Sequence, residues 1–181
     1  MTSTRNAMNN GVYGWTDMDP YELANTIRKS SEEVGKLIKE HEIDAIAFCG
    51  SSGSALAFYL AVEHKIPLMY VRKDSEQCHS TFKVECNTDR PIRNYLIVDD
   101  FIGFGSTIQR IFSSISQYWK SRRHLPGTFQ RGETRFRDRR YYEGNVEEPE
   151  CKGIFLYNKH EGWRGIVIYN KQTGDLVPIH N

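Results

Sequence analysis

The sequence predicts an α/β fold built on a parallel sheet with helices packed against it. Short apolar runs at residues 43–49, 66–71 and 95–98 alternate with stretches whose apolar residues recur at helical spacing, the pattern of βαβ units. Each of these runs is bounded by polar or glycine-rich residues, as buried strands are. In a sheet of this kind ligands bind outside the carboxyl ends of the strands. Three loops leave such ends, at 50–54, from 72 onward and at 99–107, and all three are expected to line one site.

The chain of 181 residues is expected to form a single domain, 1–181, large enough for a real core. Residues 1–18 read as a loose arm in which Val12, Tyr13 and Trp15 can pack on the body. Asp19-Pro20 starts a helix, with an acid at the N-cap, Pro at the first helical position and Glu22 at the third. Leu23, Ile27, Val34, Leu37 and Ile38 continue its apolar face to about His41. Residues 43–49 form a buried strand. Gly50, Ser51, Ser52 and Gly53 then read as a turn, with Ser54 capping a second helix from Ala55 to about Glu63. A short strand follows at 66–71, and a long polar segment at 72–93 holds a candidate strand at 82–86. The next strand, Tyr95-Leu96-Ile97-Val98, runs into Asp99-Asp100 and a small-residue loop, and a helix spans Ser106 to about Lys120. Residues 121–150 read as an insertion, basic and aromatic at first and acidic at its end. Two strands, 151–157 and 165–169, joined by a loop at 158–164, complete the chain.

Composition bounds the function. Hydrophobic residues make up 39%, charged residues 26% and aromatics 12%, which is slightly polar yet too aromatic for a disordered chain. A formal net charge of +1 gives no overall field to draw nucleic acid or a membrane surface. Cys49, Cys78, Cys86 and Cys151 form no C-x-x-C pair, so a reducing, cytoplasmic setting fits better than a disulfide scaffold. Residues 1–10 are polar and unlike a signal peptide, and the longest apolar runs are too short to cross a bilayer.

The loop after residue 98 carries the chemistry. A strand, a tight loop and a helix N-terminus can cradle a phosphate, because free N–H groups and the positive end of the helix dipole meet the anion. Gly103 and Gly105 allow close approach, while Ser106 and Thr107 add hydroxyl donors. Asp99 and Asp100 repel phosphate. They suit sugar hydroxyls or a phosphate-bound cation.

Val98-Asp99-Asp100-Phe101-Ile102-Gly103-Phe104-Gly105-Ser106-Thr107 resembles the binding motif for phosphoribosyl pyrophosphate (PRPP) of type I phosphoribosyltransferases. Cys49-Gly50-Ser51-Ser52-Gly53-Ser54 stands where that family's pyrophosphate loop follows the first core strand. Pro67 to Lys73 resembles the strand with Arg-Lys of orotate, adenine and xanthine phosphoribosyltransferases, and His79 matches a histidine that often follows. The three matches occur in the family's order over about residues 43–111. The resemblance implies a parallel core flanked by helices with a small variable hood, built by the N-terminal arm or by residues 151–181. It implies Mg²⁺-dependent transfer of ribose 5-phosphate from PRPP to a nitrogenous base, with release of pyrophosphate. In that reading Asp99 and Asp100 hold the ribose, and Arg72 and Lys73 assist departure of pyrophosphate. Gly50, Ser51, Ser52 and Gly53 bind the diphosphate; Gly103, Phe104, Gly105, Ser106 and Thr107 bind the 5′-phosphate. Trp163 and Arg164 are candidates for the base, and Mg²⁺ arrives bound to PRPP with no direct protein ligand. A homodimer is expected, since many relatives dimerise.

The chain departs from the family where Gly103 and Phe104 replace hydroxyl-bearing residues, and where Asp74-Ser75-Glu76-Gln77 lacks the flexible-loop lysine, for which Lys83 is the nearest substitute. These departures leave an alternative, a weakly catalytic or non-catalytic PRPP- or nucleotide-binding regulator or effector subunit. A further alternative is nucleic-acid binding. Residues 120–142 hold seven Arg and one Lys with Phe129, Phe136, Tyr141 and Tyr142 interleaved, a pattern that can contact phosphates and stack on bases.

Overall fold

The computed structural model describes residues 15, 18–74, 76, 83–88, 90–100, 102, 105–123, 147–160, 163–169 and 176–178. In chain order the elements are α1 (Pro20–Glu40), β1 (Ala45–Cys49), α2 (Gly50–His64), β2 (Leu68–Val71), β3 (Val84–Cys86), β4 (Asn94–Asp99), α3 (Ser106–Arg123), β5 (Glu150–His160), β6 (Trp163–Tyr169) and β7 (Leu176–Pro178).

α1 begins as the sequence dictates. The Asp19 carboxylate accepts from the N–H groups of Tyr21 at 2.8 Å and Glu22 at 2.9 Å, satisfying two donors that have no helical partner. The strands form one sheet in the order β3-β2-β1-β4-β5-β6-β7. β2, β1, β4 and β5 run parallel. β3 joins one edge antiparallel, and β6 and β7 extend the other edge antiparallel. The sheet is therefore mixed and mostly parallel, with helices on both faces, as the alternation of runs predicts.

Strand alternation sorts the core into two layers. Ala45, Ala47 and Cys49 of β1, with Tyr95 and Ile97 of β4, pack under Ile108, Ile111, Ile115 and Trp119 of α3. Ile46 and Phe48, with Leu96 and Val98, pack against Val34 and Leu37 of α1 and Leu56, Ala57 and Leu60 of α2. Trp15 joins this second layer, as expected for the N-terminal arm. Ser31 Oγ lies 2.9 Å from His64 Nε2 and links α1 to the end of α2.

Three expectations need correction. Residues 50–53 are the first turn of α2 rather than a separate turn. Cys49 takes the extended N-cap position, and Gly50 reverses the chain at φ +64°, a conformation that glycine adopts without steric cost. Ser54 is not the cap; its hydroxyl donates to the Ser51 carbonyl inside the helix. The expected loop at 158–164 is mostly strand, since β5 runs to His160 and β6 starts at Trp163, paired with His160. β7 was not foreseen. Apart from residues 121–123 and 147–150, the insertion lies outside the described residues, as do His79 and all but Trp15 and Met18 of the arm. Among the described residues no helix is long and apolar enough to cross a membrane.

The order β2-β1-β4-β5 places a switch point between β1 and β4. From β1 the chain crosses through α2 to β2 on one side; from β4 it crosses through α3 to β5 on the other. The carboxyl ends of β1 and β4, where the helices diverge, are where such folds open a crevice.

Candidate functional site

At that crevice β4 delivers Asp99 and Asp100, each 3% exposed. Asp99 Oδ1 accepts the Asp100 backbone N–H at 3.1 Å, and Ser52 of α2 lies close enough to favour its ionised form. Burial, and then the neighbouring Asp100 charge, push the Asp99 carboxyl well above the usual carboxylate range. The two acids are thus held dry and close together, an arrangement that favours a ligand donating hydrogen bonds or bringing positive charge.

Two helix N-termini face the same crevice. In α3 the first helical bond runs from Gln109 N–H to Gly105 O, at 3.0 Å. The N–H groups ahead of Gln109 have no acceptor within the helix. Gly105 has φ +74°, and a Cβ built there meets no described atom within 4 Å. Ser106 is exposed and Thr107 half-buried at this mouth. In α2 the N-cap residue, Cys49, makes no side-chain capping hydrogen bond, so among the described residues the N–H groups of the first turn are left for an anion.

Lys73, from the loop after β2, lies against this second terminus. A Cβ on Gly50 would stand 2.5 Å from Lys73 Cε and 2.9 Å from Nζ. Arg72 points elsewhere. Its Nη2 meets Glu85 Oε1 at 2.6 Å, and its guanidinium stacks over Tyr70, 5.3 Å from the ring centroid. Alternation along β2 and its pairing with β3 explain the difference, because Tyr70 lies opposite Glu85 and Arg72 falls two residues on, on the same face. Lys83 pairs with Asp74 at 2.9 Å at the surface, so at rest it does not substitute for a loop lysine.

Two residues that sequence reasoning missed belong to the site. Tyr157, at the end of the described side chains of β5, donates its hydroxyl to the Ser52 carbonyl at 2.5 Å. Burial, reinforced by Asp100 and Asp99, raises its phenol far above the ordinary range, so it remains a donor at neutral pH. Its signal was the register, since Leu156 pairs with Asp99 and the next residue lies level with Asp100. Arg110 of α3 lies with Nε 3.9 Å from Asp74 Oδ2 and beside Cys49, the last residue of β1. Burial raises the Cys49 thiol, while Arg110 and Lys73 pull it the other way.

The structure therefore brings together Gly50, Ser51, Ser52, Lys73, Asp99, Asp100, Gly105, Ser106 and Thr107. Gly53 faces inward to the sheet: a Cβ there would lie 2.5 Å from the Val98 carbonyl oxygen and 2.8 Å from Phe48 Cβ. Its role is the close packing of α2 on β4. Gly103 and Phe104 lie outside the described residues, as do the side chains of Trp163 and Arg164, whose backbone opens β6. Among the described residues no cluster of three or more His, Cys, Asp or Glu forms a ready metal cage.

No family model matches the chain, and neither does any curated protein. Among solved structures it is similar to an orotate phosphoribosyltransferase from Aeropyrum pernix, with 22% identity over 55% of this chain and 54% of that one and a TM-score of 0.43. An adenine phosphoribosyltransferase from Thermoanaerobacter pseudethanolicus matches with 18% identity over 55% and 67% of the two chains, TM-score 0.42. An adenine phosphoribosyltransferase from Saccharomyces cerevisiae, complexed with adenine and an imino-altritol bisphosphate, matches with 22% identity over 55% and 62%, TM-score 0.42. This chain spans about half the length (54%) of the Aeropyrum protein.

Proposed function

We propose that this chain binds PRPP at the carboxyl ends of β1 and β4 and transfers its ribose 5-phosphate to a nitrogenous base. The observation that carries the reading is the juxtaposition of two buried adjacent carboxyls, Asp99 and Asp100, with two open helix N-termini. A ligand that suits both has vicinal hydroxyls at its centre and phosphates at its ends. A phosphorylated ribose diphosphate has that form.

Each group then has a task. The N–H groups at the start of α3, with the Ser106 and Thr107 hydroxyls, grip the 5′-phosphate. Asp99 and Asp100 accept from the ribose hydroxyls and fix the sugar. Gly50, Ser51 and Lys73 receive the diphosphate. A ring nitrogen of the base attacks C1; the C1–O bond breaks with its electron pair leaving on pyrophosphate, and the nitrogen's proton passes to solvent. Positive charge grows on the ribose ring in this step, and the nearby carboxyls ease it. Holding both reactants in one crevice supplies much of the remaining acceleration. Mg²⁺ is expected to arrive bound to PRPP; of the residues here, the Asp99 and Asp100 carboxylates are the oxygen donors that would suit it if the protein also held it. It would supply neutralisation of the charge that develops on pyrophosphate.

Calorimetric titration of the purified chain with PRPP and Mg²⁺ tests the site, with Asp99→Asn/Asp100→Asn as the control. Binding that disappears in the control supports it. A folded wild type that does not bind overturns it.

The commitment of Arg72 to Glu85 favours a second reading, in which the chain binds the same ligand without turnover. Pyrophosphate release, measured with orotate and with purine bases, separates the two. Release with any base supports the transferase, and binding without release supports a regulatory or effector subunit.

A further inference from the structure

Arg110 stands four residues after Ser106, on the same face of α3 one turn above the phosphate-binding mouth. Its guanidinium reaches across the carboxyl edge of the sheet. On one side it comes close enough to Cys49, the last residue of β1, to pull that thiol downward against the effect of burial. On the other, Nε stands 3.9 Å from Asp74 Oδ2 in the loop after β2. The side chain is 33% exposed, so solvent reaches the guanidinium between these two neighbours. Lys73 comes to the same corner over Gly50. Two cations of different geometry thus bracket the Cys49–Gly50 junction, where the uncapped first turn of α2 opens.

The partner that holds Arg110 at rest is a weak one. Asp74 is 67% exposed and is shared with Lys83, which lies closer to it at 2.9 Å. A solvent-screened pair at 3.9 Å contributes little. A diphosphate brings more charge and matches the guanidinium fork with two oxygens at once, which Lys73 as a point charge cannot do.

We infer that Arg110 is a diphosphate-binding residue: with Lys73 and the first turn of α2 it forms a two-cation cradle, and an incoming diphosphate displaces Asp74 from it. The inference rests on the ribose-phosphate site proposed above. It also gives that site the second cation that Arg72, drawn to Glu85, does not supply at rest.

The test is calorimetric titration of the full chain with two probes, Mg²⁺-PRPP and ribose 5-phosphate, which lacks the diphosphate. Arg110→Gln is expected to weaken PRPP binding about 10- to 100-fold and to leave ribose 5-phosphate within about twofold of wild type. Arg110→Lys keeps the charge without the fork and falls between; it also carries the test if the Gln variant does not fold. Asp74→Asn, which removes the resting competitor, is expected to tighten PRPP binding. Unchanged PRPP affinity in both Arg110 variants overturns the assignment while the site stands. So does an equal loss for the two probes. A folded wild type that binds neither probe overturns the site, and the assignment falls with it.

Discussion

Asp99 is the residue whose protonation couples this site to stability. Burial and the Asp100 charge make its carboxyl harder to ionise in the folded chain than in the unfolded one. The sign follows from linkage. With the folded pKa raised, the native state holds the proton more tightly, and the stabilisation is fully present below the ordinary carboxylate pKa of about 3.9. It is lost as pH rises from there toward neutrality. Asp99→Asn cannot ionise, so its urea midpoint is expected to fall less than that of wild type between about pH 4 and neutrality. At pH 8, without Mg²⁺ or ligand, the variant is expected to be the more stable protein. Parallel midpoint curves for the two would remove Asp99 as the titrating group. Tyr157 has the opposite charge logic, since its raised phenol stays neutral throughout this range and remains a donor to the Ser52 carbonyl.

At the scale of elements, the seating of α2 on β4 depends on Gly53. A methyl group there would sit 2.5 Å from a backbone oxygen of Val98, which cannot swing aside as a side chain does. Gly53→Ala is expected to push the helix off the strand and lower stability by about 1–3 kcal/mol, as overpacking does. Chemical denaturation measures this, and a variant as stable as wild type would mean that α2 shifts without cost. The glycine was legible in the sequence, but its task was not: small residues after a strand suit a phosphate loop and tight helix–sheet packing equally well. The same ambiguity turned the first turn of α2 into an expected loop, because serines and glycines are poor helix formers and only the tertiary setting overrides them. Elements with strong local signals came through: Asp19-Pro20 for α1, the apolar runs for β1, β2 and β4, and the small residues before α3. The sequence suggests a later start for β6 because Asn158, Lys159, His160 and Trp163 mix polar and aromatic residues without an apolar alternation. The two cations were separable only by strand alternation. Adjacent in sequence, Arg72 and Lys73 face opposite ways, and no composition argument distinguishes them.

Across the whole molecule, function depends on the strand order, and that order is the least legible feature. Alternating strands and helices announce a parallel sheet, but the side of β1 on which each crossover lands comes from packing of all the layers at once. Placing β2 on one side of β1 and β4 on the other sends α2 and α3 to opposite faces and leaves their N-termini converging on the acids between them. The result is a local field that the net charge of +1 conceals: two helix dipoles with Lys73 and Arg110 on one hand, and Asp99 and Asp100 on the other. A ligand spanning the crevice touches loops from three strands and both helices, so it binds the folded state and not the unfolded chain. PRPP at about 100 times its dissociation constant should then stabilise the fold by about 2.7 kcal/mol. For a chain of this size that corresponds to a rise in melting temperature of about 5–10 °C. The rise should vanish in Asp99→Asn/Asp100→Asn and shrink in Arg110→Gln, whereas ribose 5-phosphate should give the same rise in Arg110→Gln as in wild type. A rise that persists undiminished in the double variant would remove Asp99 and Asp100 as the groups that hold the ribose.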